Sequence, residues 1–527
     1  MVPVEGSSND PATRLPVELT TKIFGYVRSE SRDLKWLRIT LVCPIWRRLA
    51  IGTPLFWCDI HIGIRWTPEI VDAFIRRSKG LRLKVGVDER TDEHELATLF
   101  EQLAPHAFRF RSLSLEFDLK QMPVVQKYLA RLGTSISTLH LAAYFYASSD
   151  SDDLLTGRGL AIRAKDLPAL RELSLDGVVL NAQPPFLARL QKLHMRDIWY
   201  FERFARYRRV DQYLHKLLSA CINLEDLCLC DVLHPTIPIK TPAVHLPQLR
   251  ALRLGGEGNQ VANTVSFFSV PPTTTIAVTS DWEIATWFRW AERRLPRVFS
   301  TALPRPAADH EAAYRYHNTR ALRFQAGTTC FEVQGYTKDT ATPCQWSGSV
   351  ELSSLGLDYR TLLLKPALSE LKEIVKPSRI VQLEIHLAPQ LRGFVDWVWL
   401  FNTFTNVQDL TIGGPTTVVH FFCVVMGNAG FVLQERIERL KSLSFCLPAM
   451  DRNALEIMQE AAQKSRWLFD GGSLKVHLLV RPSAIRDAEL TLGDWKSKMS
   501  RYGVKVHVAT TECKDCLLSP ARPKPGP

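Results

Sequence analysis

Residues 170–175 read Leu170-Arg171-Glu172-Leu173-Ser174-Leu175, an apolar-x-x-apolar-x-apolar hexad. The hexad returns at Phe110/Leu113/Leu115, Ile136/Leu139/Leu141, Leu190/Leu193/Met195, Leu224/Leu227/Leu229 and Leu249/Leu252/Leu254. After a gap it resumes at Ile380/Leu383/Ile385, Val407/Leu410/Ile412 and Leu440/Leu443/Phe445. The central residues lie 26, 34, 20, 34 and 25 apart in the first group and 27 and 33 apart in the second. Self-similarity at periods of about 20–50 residues marks an array of supersecondary units that bury their apolar faces only by stacking. Leu173 and Leu175 alternate as a strand with one buried face does, while the text between hexads (124–132, 210–220, 361–375, 454–468) carries helical spacing. Strand, helix, strand predicts right-handed crossovers and a mainly parallel, curved sheet within an α+β chain.

The sheet region is expected in two parts, 63–270 and 321–510, around a segment at 271–320. That segment holds Pro271-Pro272, TTTIAV and a tryptophan-rich stretch of helical character, and it reads as an insertion or linker with a helix. A continuous arc is favoured over two α/β domains joined near 300–318, because the hexad resumes at Leu322 and Phe324. Residues 1–12 and 511–527 are polar and poor in apolar side chains, a composition that predicts flexible ends.

With 527 residues, 46% hydrophobic and 23% charged, the composition is that of a folded globular chain rather than a disordered or fibrous one. The longest apolar run, Val418–Met426, is interrupted by His420 and is about half the 18 residues a spanning helix needs, so no membrane span is expected. The opening MVPVEGSSND has neither a basic start nor an apolar stretch, which places the expected compartment in the cytoplasm, the nucleus or both. The net charge of +12 favours acidic partners in general. The eleven cysteines are scattered, several in apolar text (Cys43, Cys221, Cys423, Cys446), as reduced thiols serving as small hydrophobes would be. Cys513 and Cys516 form a C-x-x-C, but only His507 stands near, so four zinc ligands are not assembled locally and no metal is expected.

The N-terminal text differs from the rest. Leu15, Leu19, Ile23 and Val27 recur every four residues on one helical face, with Pro16 suited to a first turn. Leu34, Leu37 and Leu41 continue the helical spacing to Val42 and Cys43, where Pro44 stops one helix and can open a third, with Trp46 and Leu49 inward and Arg47 and Arg48 toward water. Such a short unit needs a neighbour or a partner to bury enough surface.

The ordered set Leu15-Pro16-x-Glu18-Leu19, Ile23-Phe24, Leu41-Val42-Cys43, Trp46-Arg47, Leu49-Ala50, Thr53-Pro54-x-x-Trp57 and Ile60 resembles an F-box over residues 13–62. The stretches VDAFIRRSKGLRLKVGV and LAPHAFRFRSLSLEF resemble the segment after the F-box in mushroom-type F-box proteins with leucine-rich-repeat-like tails. Pro44 and Ile45 depart from the basic or polar residues usual at those places. Val178, Ile198 and Val232 stand where standard leucine-rich repeats carry Asn or Cys, which implies an irregular solenoid. The resemblance implies a substrate-receptor subunit of an SCF-type cullin–RING ubiquitin ligase. In that role Leu15, Pro16, Leu19, Ile23, Leu41, Val42, Cys43 and Trp46 would meet the Skp-family adaptor, and through it the cullin and RING subunits. The repeat region would bind a protein target whose identity the sequence does not disclose.

Motifs for catalysis are missing from the text. There is no G-x-x-x-x-G-K-[ST] loop and no G-x-S-x-G elbow, His310-Glu311 with His317 is not H-E-x-x-H, and 148–153 reads as a solvated acidic loop. No catalytic residue and no cofactor are therefore expected. Arginines mix with aromatics at 202–210 and 287–299, as on nucleic-acid surfaces, but amphipathic helices account for both better, and nucleic acid ranks behind protein as a partner. A scaffold that uses the F-box outside a ligase is the remaining alternative.

Overall fold

A computed structural model of the chain describes residues 15–30, 34–63, 66–88, 93–144, 159–182, 184–197, 210–232, 242–257, 261, 264–265, 267–281, 298–299, 316, 318–340, 343–352, 355, 357–391, 395–427, 429–447, 452–464, 475–480, 489–501 and 506–510. The fold is α+β with a large, mainly parallel sheet. It divides into two compact units, Met1–Asp226 and Leu227–Pro527, at a position where the hexad pattern marks no boundary. The expected flexible ends at 1–12 and 511–527, and the tryptophan-rich helical stretch after Asp281, lie outside the described residues.

The first unit opens with helix α1 (Val17–Glu30), a 3-10 helix at Leu34–Leu41 and helix α2 (Pro44–Gly52). Strands β1 (Asp59–Ile62), β2 (Leu83–Val87), β3 (Phe110–Asp118), β4 (Thr138–Tyr144), β5 (Glu172–Asp176) and β6 (Lys192–Arg196) come next, parallel and paired in chain order. The reason lies in the hexads, whose second and third apolar residues stack in register. Ile60, Val85, Leu113, Leu139, Leu173 and Leu193 form one row. Ile62, Val87, Leu115, Leu141, Leu175 and Met195 form the next. All twelve are buried. A shift of one residue in any strand would send its pair to the polar face, so the alternation locks the register. The opposite face carries the row His61, Gly86, Ser114, His140, Ser174 and His194. The linking helices α3 (Pro68–Arg77), α4 (Glu93–Leu103) and α5 (Met122–Leu132) bury Val71, Phe74 and Ile75, Leu96, Phe100 and Leu103, and Val125 and Leu129.

In the second unit, β7 (Ala251–Glu257) pairs with β8 (Thr275–Asp281), so the segment expected as an insertion begins with a strand of the same sheet. The chain then makes a meander of β9 (Ala321–Ala326), β10 (Cys330–Tyr336) and β11 (Trp346–Glu351), which runs back so that β11 lies beside β8 and β9 beside β12 (Gln382–Leu387). Strands β13 (Asp409–Gly413), β14 (Ser442–Leu447), β15 (Lys475–Val480) and β16 (Val506–Thr510) continue in chain order. Within this unit's paired series β7 to β16, only β10 is antiparallel. Its core ladder runs Leu322, Leu383, Leu410, Leu443, Val476 and Val506.

Strand exits share a device that the hexads do not reveal. The residue two past the last core position of its strand has positive φ at Gly177 (63°), Asp197 (49°), Asp231 (52°), Gly256 (133°) and Gly414 (96°). Gly and Asp tolerate this region better than most residues. The Gly177 amide donates to the Arg196 carbonyl at 2.9 Å and the Gly414 amide to that of Cys446 at 3.1 Å, each on the next strand of its unit. Backbone turns of this kind, with Val178 and Val232 packed inward, stand where an Asn or Cys was missing from the sequence pattern.

The polar face of the second unit holds a buried charge cluster. Arg323 on β9 and Glu384 on β12 are register partners, with Nε donating to Oε2 at 2.6 Å. Thr340 Oγ1 also donates to Glu384, Gln382 Nε2 does so at 3.1 Å, and His386 Nε2 lies 3.8 Å from Oε2. Burial works against ionisation of Glu384, but the neighbouring His386, the charge of Arg323 and the hydrogen bonds from Thr340 and Arg323 outweigh it and hold the carboxyl at about 2, against an ordinary 4.5. A depressed acid pKa adds stability above the unfolded value and loses it as pH falls toward the folded one. The cluster's contribution, on the order of 3 kcal/mol, should thus be complete above about pH 4.5 and vanish toward pH 2. Urea titrations across that window should show the loss in the wild type and a flattened slope in Glu384→Gln; equal slopes would refute the assignment.

Candidate functional site

The first three helices divide their apolar residues between two directions. In α1, Thr20 and Phe24 are buried while Leu19 and Ile23, one position earlier in each turn, are 50% and 45% exposed. The Thr20 hydroxyl donates to the Pro16 carbonyl at 3.1 Å, which satisfies the one polar group on the inner face. The stripe Leu15, Leu19, Ile23 and Val27 is therefore the outer stripe, and all four side chains are exposed. In the 3-10 helix, three residues per turn bring Trp36 and Ile39 inward together and leave Leu41 at the end, 73% exposed, next to exposed Val42. Cys43 is extended (φ −155°, ψ 167°), and Pro44 takes the first-turn position of α2, where its missing N–H costs nothing. Ala50 is the buried residue of α2, Trp46 and Leu49 are half-buried, and Arg47 and Arg48 face water.

Beneath the outer face lies an aromatic seam. Phe24 meets the Trp46 ring edge-on at 4.9 Å, Trp36 meets Trp57 at 5.2 Å, and Trp57 meets Phe74 of α3 at 4.8 Å. Trp57 Nε1 donates to the Ala50 carbonyl at 2.9 Å, and the Arg77 guanidinium lies 4.4 Å above the Trp57 ring. Arg28 donates through Nε to the Phe56 carbonyl at 3.3 Å and through Nη2 to that of Asp59 in β1. The helices are thereby fixed to one another and to the start of the sheet, while a second set of apolar side chains stays in solvent.

Of the residues singled out by sequence, Leu15, Pro16, Leu19, Ile23, Leu41 and Val42 are exposed and Cys43 is half-buried. Trp46 is turned inward, its ring on Phe24 and its Nε1 buried without a hydrogen-bond partner. Val17, Tyr26, Ile45, Ile51 and Leu55 are also exposed and stand outside the motif positions. Tyr26 continues the seven-residue spacing from Leu19, a signal that was present in the text. In all, eleven of the sixteen exposed large hydrophobic side chains among the described residues lie between Leu15 and Leu55. Concentrations of this kind mark interaction sites, since scattered exposed apolar residues are the rule elsewhere. Exposed Lys22, Arg38, Arg47 and Arg48 outnumber Glu18 around them, giving a rim that complements an acidic partner.

Among the described residues no three His, Cys, Asp or Glu side chains gather as a metal site, and no helix is long and apolar enough to cross a membrane. The arginine–aromatic stretches at 202–210 and 287–299 fall almost wholly outside the described residues. No family model matches the chain, and no curated protein matches it either.

Proposed function

We propose that the chain is the substrate-receptor subunit of an SCF-type cullin–RING ubiquitin ligase. In this reading the first three helices form an F-box that seats on the Skp-family adaptor, and the sheet belongs to a leucine-rich-repeat-like solenoid that holds a protein target. The observation that supports it is the outward face of α1 and the 3-10 helix, where Leu15, Leu19, Ile23, Leu41 and Val42 stand in solvent at the positions the F-box resemblance assigns to the adaptor. Such side chains gain about 25 cal/mol for each Å² of apolar surface withdrawn from water. Close-packed apolar anchors inside a charged rim are the usual form of an interface hot spot.

Target recognition would use the polar face of the sheet, where His61, Ser114, His140, Ser174 and His194 can be exchanged without touching the leucine rows behind them. The chain would then speed ubiquitin transfer by raising the local concentration of a target lysine near the conjugating enzyme.

Affinity purification of the full chain should recover the adaptor and cullin. The pair Leu19→Asp and Leu41→Asp, both at exposed positions and so sparing the core, should abolish that recovery. Recovery unchanged by the pair overturns the proposal, and adaptor recovered without cullin moves it to a scaffold outside a ligase.

A further inference from the structure

One short strand carries two thiols within reach of each other. Cys228 and Cys230 stand two residues apart in the strand Asp226–Cys230, so both side chains leave the same face, opposite to buried Leu227 and Leu229. Both are reduced, and their sulfurs lie 3.7 Å apart. Cys228 is buried and Cys230 half-buried, which gives the second thiol a path to solvent that is closed to the first.

The surroundings leave the pair room to move. A Cβ on Gly255 of β7 would fall 2.8 Å from the Cys230 sulfur, so any larger residue there would crowd it. The strand also ends at Cys230: Asp231 takes a positive φ of 52°, and its amide donates to the Gly255 carbonyl at 3.1 Å. A change in the backbone of Cys230 therefore has no following strand residue to displace.

Joining the sulfurs means closing from 3.7 Å to a bond of about 2.05 Å. Two residues of strand separate the Cα atoms by about 6.6 Å, near the upper end of the range that disulfides span. Such a bridge forms under strain, and strained disulfides are the ones that are easily reduced again. Other thiols of the chain are held back from this chemistry. Burial pushes the Cys221 thiol up to about 12, and burial with the nearby Glu332 and Glu351 pushes that of Cys330 up to about 11, so both stay protonated in neutral solution.

We propose that Cys228 and Cys230 form a modification site, a dithiol that a hydroperoxide converts reversibly into a Cys228–Cys230 disulfide. The Cys230 thiolate attacks the peroxide, the O–O bond breaks, and Cys230 becomes a sulfenic acid as hydroxide leaves. The Cys228 sulfur then attacks the Cys230 sulfur, forming the S–S bond and expelling the oxygen as water. With hydrogen peroxide, two thiols and one peroxide give one disulfide and two waters. A small thiol such as glutathione returns the two electrons by exchange and restores the pair. The inference is independent of the ligase reading, and either can fail without the other.

The test treats the full chain with hydrogen peroxide, alkylates the remaining thiols and weighs the tryptic peptide 217–240, which holds Cys221, Cys228 and Cys230. After oxidation this peptide should be bridged, with its single alkyl group on Cys221, and glutathione treatment should return it to three alkyl groups. Cys228→Ser should leave a sulfenic acid at Cys230 that dimedone traps. Cys230→Ser should slow peroxide oxidation of the remaining thiol by about tenfold or more relative to Cys228→Ser. A wild-type peptide that stays fully alkylated, a bridge to Cys221, or uptake of oxygen in place of bridging overturns the site, and equal rates in the two variants overturn the role given to Cys230. The wild-type peptide decides the matter even if a variant fails to fold.

Discussion

Gly335→Val should unfold the sheet of the second unit, with a loss of about 3 kcal/mol or more. Gly335 on β10 is the register partner of Trp346 on β11, and the indole lies against it. A Cβ at position 335 would fall 2.1 Å from the Trp346 ring. The ring cannot yield, because its Nε1 donates to the Thr319 hydroxyl at 2.9 Å and its other edge meets Tyr316 at 4.8 Å. With Trp346 buried, displacing it would also strip the Ile276 register contact to β8. Chemical denaturation should show the drop in midpoint. A Gly335→Val chain as stable as the wild type would mean that this close approach is wrong.

Trp57→Ala should cost the first unit roughly 3–5 kcal/mol, the range for removing a buried large aromatic. Trp57 is 1% exposed and joins three groups: Trp36 of the 3-10 helix, Phe74 of α3, and the Ala50 carbonyl at the end of α2. Truncation leaves a cavity among rings that have no room to close it and orphans the carbonyl. Leu41→Asp, at a site 73% exposed, should by contrast leave the denaturation midpoint within about 0.5 kcal/mol of the wild type. Thermal unfolding of both variants would separate the residues that hold the helices together from those that face outward, and similar losses for the two would erase that distinction.

The strands at Leu113, Leu139, Leu173, Leu193, Leu252, Leu383, Leu410 and Leu443 could be read from the sequence because one physical demand, an apolar ladder within each unit, imposes the same hexad on each. Strands β10 and β11 escaped, since a meander within one unit answers to local alternation, as in CFEVQGY, rather than to the repeat. Strand β1 escaped for a different reason. Asp59–Ile62 reads as the close of the helical segment, yet Ile60 and Ile62 begin the ladders of the sheet. At the candidate site, periodicity located the stripe Leu15, Leu19, Ile23 and Val27 but could not assign its direction, because a core stripe and a docking stripe have the same spacing. What settled it was Phe24, one residue off the stripe, which takes the buried position and turns its neighbours out. Trp46, expected at an interface, is half-buried with its ring on Phe24, a placement that helical spacing alone did not disclose.

The contacts from Arg28 to the Asp59 carbonyl and from Trp57 to Phe74 tie the outward helices to the first strand of the sheet and to helix α3 behind it. If the helices are anchored to a larger machine, the strands of the first unit become fixed graduations measured from that anchor, each one about 4.8 Å beyond the last. Which graduation a target grips would then decide how far its lysines are held from the reacting thioester, and a ligand moved by two strands would present a different lysine.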